Sequence, residues 1–253
     1  MSKTAAIIQA RTGSTRLPAK TLRILHDRTL LGHVIERVSA ARLVGEIVVA
    51  TSTDVADDPI EELARRMGIG IFRGSETDVL ARYHGAASAC GADVVVRVTA
   101  DDPFKDPEII DHAVSLLASG KYDYCSNTII PTYPEGIDIE AFTFDALDKA
   151  HREAVLTSER EHVTPYIWKR PKRFSIHNFK NNEDLSGLRW TIDYQADFEF
   201  AQAVYRLLCP NKRIFLMKDV LDLLRREPAL GVSSIQVDRN EGYYKMLAKE
   251  KQE

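Results

Sequence analysis

The chain has 253 residues, 44% of them apolar and 28% charged, with a formal net charge of −3 and a pI near 6.2. Such a length and apolar content suit one large α/β domain with a well-buried core, and the charge balance argues against a dedicated nucleic-acid binder, which needs a broad basic surface. Cys90, Cys125 and Cys209 are far apart and form no C-x-x-C, a pattern of reduced thiols, and no stretch has the signal-peptide pattern or the ~18 apolar residues of a membrane span. A soluble, cytoplasmic protein with no membrane partner is expected.

Ala5-Ala6-Ile7-Ile8 reads as a buried first strand that opens into the loop 9–20. Lys3, Arg11, Arg16, Lys20 and Arg23 all precede the first acidic residue, Asp27. That local excess in an acidic chain calls for an anionic ligand. Gly13 permits a tight backbone turn, Ser14 and Thr15 offer hydroxyls, and Arg and Lys grip phosphate oxygens as planar fork and point charge. Any one of these residues alone would read as solvated loop. The string as a whole implies a polyphosphate held at a strand end, where ligands collect in α/β sheets.

Leu31, Val34, Ile35 and Val38 recur at helical spacing, and 46–51 reads as a second buried strand. Asp58-Pro59 has the form of an N-cap followed by proline at the first helical position, and Gly68 ends that helix. A short strand over 69–72 leads to a helix whose inner face carries Val79, Leu80, Tyr83, Ala86, Ala87 and Cys90. The strongest strand spans 93–98, and Asp106-Pro107 starts the next helix. This alternation predicts a mostly parallel sheet with right-handed crossovers.

From Tyr122 the regularity breaks. Segment 127–136 is rich in turn residues, while 137–142 alternates apolar and acidic residues and as a strand would show Asp138 and Glu140 on one face. A helix from Phe144 to His151 follows. The stretch 159–168 mixes charges with aromatics, and 173–177 and 188–193 read as strands. Phe198, Ala201, Val204, Tyr205 and Leu208 line one helix, Val220, Leu221, Leu223 and Leu224 another, and the last dozen residues form a terminal helix.

Asp101-Asp102-Pro103 lies just beyond the strongest strand, where a carboxylate can hold a hard cation against phosphate oxygens; a backbone-capping turn is the other reading. Asp193 likewise sits between a strand-like run and a helix start, as metal ligand or as N-cap.

Residues 8–22, Ile-Gln-Ala-Arg-Thr-Gly-Ser-Thr-Arg-Leu-Pro-Ala-Lys-Thr-Leu, resemble the signature of the spore-coat polysaccharide biosynthesis protein F family of cytidylyltransferases, which is similar to the CMP-KDO and CMP-neuraminate synthetases. Gln9 stands where both of those relatives usually have proline. Ala19 replaces the commoner glycine, a change tolerable only if Ala19 keeps φ below zero. The resemblance implies a Rossmann-like nucleotide-diphospho-sugar transferase fold: an α/β architecture with a mostly parallel mixed sheet flanked by helices. Within one domain, 1–121 would be the nucleotide-binding half, 122–180 an acceptor and dimerisation excursion, and 181–253 the return to the core.

It further implies that CTP and a sugar, acidic or modified, give a CMP-sugar and pyrophosphate. Gln9, Ala10, Arg11, Gly13, Ser14, Arg16 and Lys20 would hold the nucleotide, with Arg73 and Asp78 at its border, although Asp78 reads equally as a helix cap. Ala100-Asp101-Asp102-Pro103 corresponds to the family's Gly-Asp-Glu-Pro, making Asp101 a Mg²⁺ ligand and Asp102 its less certain neighbour, with Asp193 as the second ligand. Arg11, Arg16, Lys20, Asp101 and Asp193 are then the catalytic set. Because 135–140 and 159–166 also resemble the family, Glu135, Asp138, Glu140, Arg160, His162 and His177 are acceptor candidates. Relatives are dimers, and the aromatic-rich 133–168 region is the expected homodimer interface. A metal-dependent glycosyltransferase and a non-catalytic nucleotide-binding protein are the alternatives. The triphosphate-type loop disfavours the first, and the second needs no acceptor pocket.

Overall fold

A computed structural model describes residues 2–233 and 239–250. Its central strand, β1 (Thr4–Gln9), is buried along all but its last residue. The hairpin β2 (Ile24–Leu25) and β3 (Arg28–Thr29) leads into α1 (Leu30–Ser39), and β4 (Glu46–Ser52) returns beside β1. The alternation continues through α2 (Asp58–Arg66), β5 (Gly70–Gly74), α3 (Val79–Cys90), β6 (Val94–Thr99) and α4 (Pro107–Ala118). Then come β7 (Tyr124–Ser126), β8 (Glu140–Thr143), α5 (Phe144–Glu153), α6 (Thr157–His162), α7 (Pro165–Trp168) and β9 (Ile176–Asn178). Helices α8 (Gln195–Leu208), α9 (Met217–Arg226) and α10 (Glu241–Glu250) follow.

The seven-stranded sheet has the order β5-β4-β1-β6-β8-β7-β9, in which β8 alone runs antiparallel to its neighbours. Period-two alternation sends Ala6 and Ile8 toward α1, α4 and α8, and Ala5 and Ile7 toward α3 and α5. Both faces of β1 are thus covered, which is why it reads as an unbroken apolar run. Gln9 at its end is in register with Thr99 at the end of β6. The chain leaves β1 toward β4 on one side and later returns through β6 on the other, so a crevice opens at their carboxyl ends.

The segment 122–180 supplies β7, β8 and β9 to this same sheet. Tyr133, Phe142 and Tyr166 are buried in the core, so the aromatic density of that stretch faces inward and does not mark an exposed patch. The strand expected over 188–193 is absent. Its neighbours are loops instead of a sheet edge, and it makes one bridge, Glu135 to Arg189, with Trp190 N bonded to Glu135 O (2.7 Å) and Ile192 N to Asp101 O (2.9 Å). Helix α2 begins at Asp58 itself, with Asp57 at the N-cap position but its carboxylate directed elsewhere.

Of the backbone positions with positive φ, Ala19 and Gly136 bear on how the loops meet. Ala19 adopts φ 51°, ψ 29°, against the expectation of negative φ. Bonds from Ala19 N to Thr12 O (3.2 Å) and from Leu22 N to Ala19 O (2.9 Å) close the loop around that left-handed residue. Gly136 has φ 102°, and a β-carbon there would lie 2.7 Å from Thr191 N. Its absence lets the turn before β8 pack directly on 190–191. Ala19→Gly is therefore expected to stabilise the protein by up to about 1 kcal/mol through relief of left-handed strain. Gly136→Ala should destabilise by about 1–3 kcal/mol. Urea unfolding midpoints of the two variants, moving in opposite directions, check both expectations.

Candidate active site

The loop after β1 is pinned by Asp57, a residue that the sequence patterning does not single out. Asp57 accepts hydrogen bonds from Thr12 N and Thr12 Oγ1 (both 2.8 Å), from Thr51 Oγ1 (3.0 Å) and from Ser52 Oγ (2.6 Å). Burial alone would raise this carboxyl, but bonds from Ser52 and Thr12 outweigh it and hold it below its usual range. Leu17, buried, anchors the other end of the loop.

Just past these anchors Lys20 turns inward. Its Nζ donates to Asp101 Oδ2 (2.8 Å), Asp193 Oδ1 (2.8 Å) and the Ile192 carbonyl (2.7 Å). Arg16 also reaches Asp193 Oδ1 (2.8 Å), and Arg189 holds Asp193 Oδ2 (3.0 Å). Burial would push Asp193 up, yet Lys20 and Arg16 keep it well below the usual carboxylate range. Burial would likewise lower the Lys20 ammonium, and Asp101 and Asp193 raise it instead. Asp193 is not the cap of α8. That position falls to Tyr194, and Asp197 accepts from the backbone N–H groups of both Asp193 and Tyr194 (2.9 Å each).

The cleft so formed has a volume of about 360 Å³. Gln9, Ala10, Arg11, Gly13, Ser14, Arg16 and Lys20 line it from the loop, with Arg82, Arg97, Asp101, Glu161, His162 and Asp193 around them. Five cations (Arg11, Arg16, Lys20, Arg82, Arg97) face three carboxylates (Asp101, Glu161, Asp193), so the cleft favours a polyanion. Asp101 and Asp193 converge on one ammonium, and their hard oxygens form a donor set suited to a divalent cation such as Mg²⁺. Asp102 points away, bound to Thr99 Oγ1 (2.6 Å) and Lys105 Nζ (2.8 Å).

Other residues singled out in the sequence are placed differently. Arg73 braces the β4–α2 corner through Asp58 (2.6 Å), Glu61 (2.8 Å) and the Ser52 carbonyl (2.9 Å). Asp78 caps α3 at Ala81 N (2.9 Å) and pairs with Arg160 (2.5 Å), so these two engage each other. His177 stacks on Tyr122 at 4.7 Å on the edge of the sheet. None of these four lines the cleft or the cavities beside it.

Glu135, Asp138 and Glu140 do come together, around a polar cavity of about 130 Å³ that also touches Asp101 and Thr99. Each has a cationic partner: Arg189 for Glu135 (2.6 Å), Arg239 for Asp138 and Arg97 for Glu140. Glu140 also accepts from Tyr124 OH and Thr164 Oγ1, both at 2.5 Å.

Two functional candidates escape sequence reading. Arg189 joins Glu135, Asp193 and Asp197 from a run with strand character. Arg82 is buried on α3 and donates only to the Ser75 and Glu76 carbonyls; among the described residues no carboxylate pairs with it. A signal for Arg82 exists in its position three residues after Val79, on the flank of an apolar helix face.

A family model described as cytidylyltransferase matches residues 5–221. The chain is 34% identical over 229 residues to the spore coat polysaccharide biosynthesis protein SpsF of Bacillus subtilis, covering 88% of this chain and 94% of that protein. It is 41% identical over 118 residues to a 3-deoxy-manno-octulosonate cytidylyltransferase of Geobacter sulfurreducens, covering 45% and 44%. The solved structure of a cytidylyltransferase from Leptospira borgpetersenii superposes with a TM-score of 0.88 at 32% identity, covering 94% of this chain and all of that one. No helix among the described residues is long and apolar enough to cross a membrane.

Burial holds His162 in this cleft at about 4, below the ordinary 6.5. The unfolded chain takes up a proton near pH 6.5 that the folded chain refuses until about 4. Stability from this residue is therefore fully present above pH 6.5 and falls as pH drops through that window, by at most ~1.4 kcal/mol per unit. Urea unfolding of the wild type and of His162→Asn at pH 7, 5.5 and 4.5 should show the difference shifting steadily against the wild type. Parallel pH profiles would refute the burial of a neutral imidazole.

Proposed function

The chain belongs to the cytidylyltransferase family, and we propose a reaction path through its cleft on that premise. The enzyme transfers CMP from CTP to a sugar and releases pyrophosphate. The observation that carries the residue assignment is the cationic cleft at the ends of β1 and β6, floored by two carboxylates that meet on Lys20.

The triphosphate lies along the loop 10–20 with Arg11, Arg16 and Arg82 on its oxygens. A sugar hydroxyl attacks the α-phosphorus in line and releases its proton to solvent. The new O–P bond forms as the bond to the β-phosphate breaks, and pyrophosphate departs against the same cations. No protein nucleophile is needed. Asp101 and Asp193 would hold Mg²⁺, which when bound offsets charge between triphosphate and acceptor. Lys20 keeps the two carboxylates facing each other. Gln9 Oε1, buried at the head of the cleft with no hydrogen-bond partner, suits the exocyclic amino group of cytosine. The cavities beside Asp101 supply the acceptor space that a nucleotide sensor would not need. An acidic or modified sugar, a cytoplasmic location and a homodimer belong to the same proposal. The homodimer rests on the family resemblance alone, and a monomeric mass by light scattering at micromolar concentration removes it.

The test is pyrophosphate release on mixing the protein with CTP, Mg²⁺ and a panel of sugars and sugar acids. Arg82→Met should lower kcat/KM about 10- to 150-fold, the equivalent of a charge-assisted contact of roughly 1.5–3 kcal/mol, and Arg16→Ala should lower it by less, because Asp193 and Glu241 compete for that guanidinium. Asp101→Asn should lose rate with little loss of stability, because Lys20 is its one charged partner. Asp193→Asn should lose both, because Lys20, Arg16 and Arg189 all depend on that carboxylate. Wild-type turnover in Arg16→Ala or Asp101→Asn would remove that residue from the site.

A further inference from the structure

Past Arg97 and His162 the nucleotide cleft adjoins a second cavity of about 190 Å³. One wall comes from α10, which lies outside the residues 5–221 matched by the family model. Helix α10 is fastened there by Glu250, which accepts from Ser158 N (2.6 Å) and Ser158 Oγ (2.7 Å). Just before the helix, Arg239 donates to the Tyr133 carbonyl (3.0 Å) and the Asp138 carboxylate.

Of the residues lining this cavity, Arg97 leaves its Nε buried without a partner, and His162 Nε2 and the Tyr243 hydroxyl are likewise buried and unpaired. The rings of His162 and Tyr243 meet edge to face at 5.1 Å. Native proteins leave few such groups, so an imidazole and a phenol unpaired at one cavity point to a ligand that satisfies both. Burial keeps the imidazole neutral near pH 7, which gives it one accepting ring nitrogen, and a phenol can donate. Ile129, Pro165, Trp168 and Tyr244 give the wall an apolar and aromatic side, and Thr128, Thr164 and Asn240 are its other uncharged polar residues. The charges present are already matched, Glu140 with Arg97 and Asp138 with Arg239. The cavity thus offers a donor, an acceptor and an apolar surface, with no spare charge.

We propose that this cavity receives an uncharged acylamino substituent of the acceptor sugar, with Tyr243 donating to its carbonyl, His162 accepting from its N–H, and the acyl carbon lying against Trp168 and Ile129. Tyr243 is then a specificity-determining residue contributed by α10. The inference rests on the reading of a sugar as acceptor, but its test requires no CMP transfer, so the two can fail separately.

Saturation-transfer NMR on the full chain with CTP and Mg²⁺ compares N-acetyl-D-glucosamine, D-glucosamine and D-glucose as probes. The acetylated sugar should bind at least about fivefold tighter than either of the others, with the strongest transfer to its acetyl methyl, and Tyr243→Phe should weaken it by about fivefold, the effect of one lost neutral hydrogen bond. Tyr243→Ala should weaken it further by removing the ring as well. Affinity for CTP, measured by calorimetry, should stay unchanged in both variants. Equal binding of the three sugars, no binding of any of them, an unaltered affinity in Tyr243→Phe, or a parallel loss of CTP affinity would each overturn the proposal.

Discussion

The site depends on one nearly buried ammonium. Lys20 Nζ, carried on the short turn that closes the first loop, is shared by Asp101 after β6, Asp193 before α8 and the Ile192 carbonyl. Three chain segments far apart in sequence are tied at that point. Removing an ammonium from such a set leaves two carboxylates facing each other away from bulk water, a far larger penalty than the loss of a surface ion pair. The backbone prepares the meeting independently of charge, since Ile192 N bonds to Asp101 O and the missing β-carbon of Gly136 lets 190–191 pack close. Geometry brings the carboxylates near, and Lys20 makes their nearness tolerable.

A second paired charge joins the nucleotide and acceptor sides. Arg97 on β6 is in register with Glu140 on β8, the antiparallel strand, and the two side chains form a cross-strand ion pair. Burial would raise the Glu140 carboxyl, yet Arg97 and the hydroxyls of Thr164 and Tyr124 hold it below its usual range. Arg97 borders the cleft and both smaller cavities. The reversed strand thereby does more than extend the sheet: it brings an acid to the one cation common to all three spaces.

Much of this was legible in the sequence because it rests on local signals. Apolar periodicity located β1, β4, β6 and the helices between them, and the charge imbalance of 9–20 located the loop that lines the cationic cleft. Residues whose roles come from distant partners were not legible. Asp57, next to the Asp58-Pro59 helix start, draws no reading because nothing in its neighbourhood shows Thr12 on the other side of the crevice. Arg189 sits in a run whose alternation mimics a strand, but it is buried by loops and so serves as a hub for three acids. Arg73 and Arg160 read as ligands because a charged side chain in sequence gives no sign of whether an internal partner already claims it, whereas Asp78 reads as ligand or helix cap and is the cap. Ala19 fails for a different reason. A φ preference is a local rule, and two loop-closing hydrogen bonds override it.

The same accounting of partners constrains how a nucleotide can bind. Arg16 is held by Asp193 at 2.8 Å and by Glu241 of α10 at 3.8 Å, and its guanidinium lies 5.3 Å from the Tyr194 ring centroid. Phosphate oxygens that take this guanidinium do so in exchange for carboxylates, so the net gain is smaller than the contact itself. Arg82 differs, because its guanidinium has carbonyl partners alone and burial lowers its pKa below that of an ordinary arginine. An arriving phosphate displaces no ion pair there and relieves an uncompensated buried charge. On the proposed reading, binding energy therefore concentrates on Arg82, whereas Arg16, held between Asp193 and Glu241, ties the loop to α10.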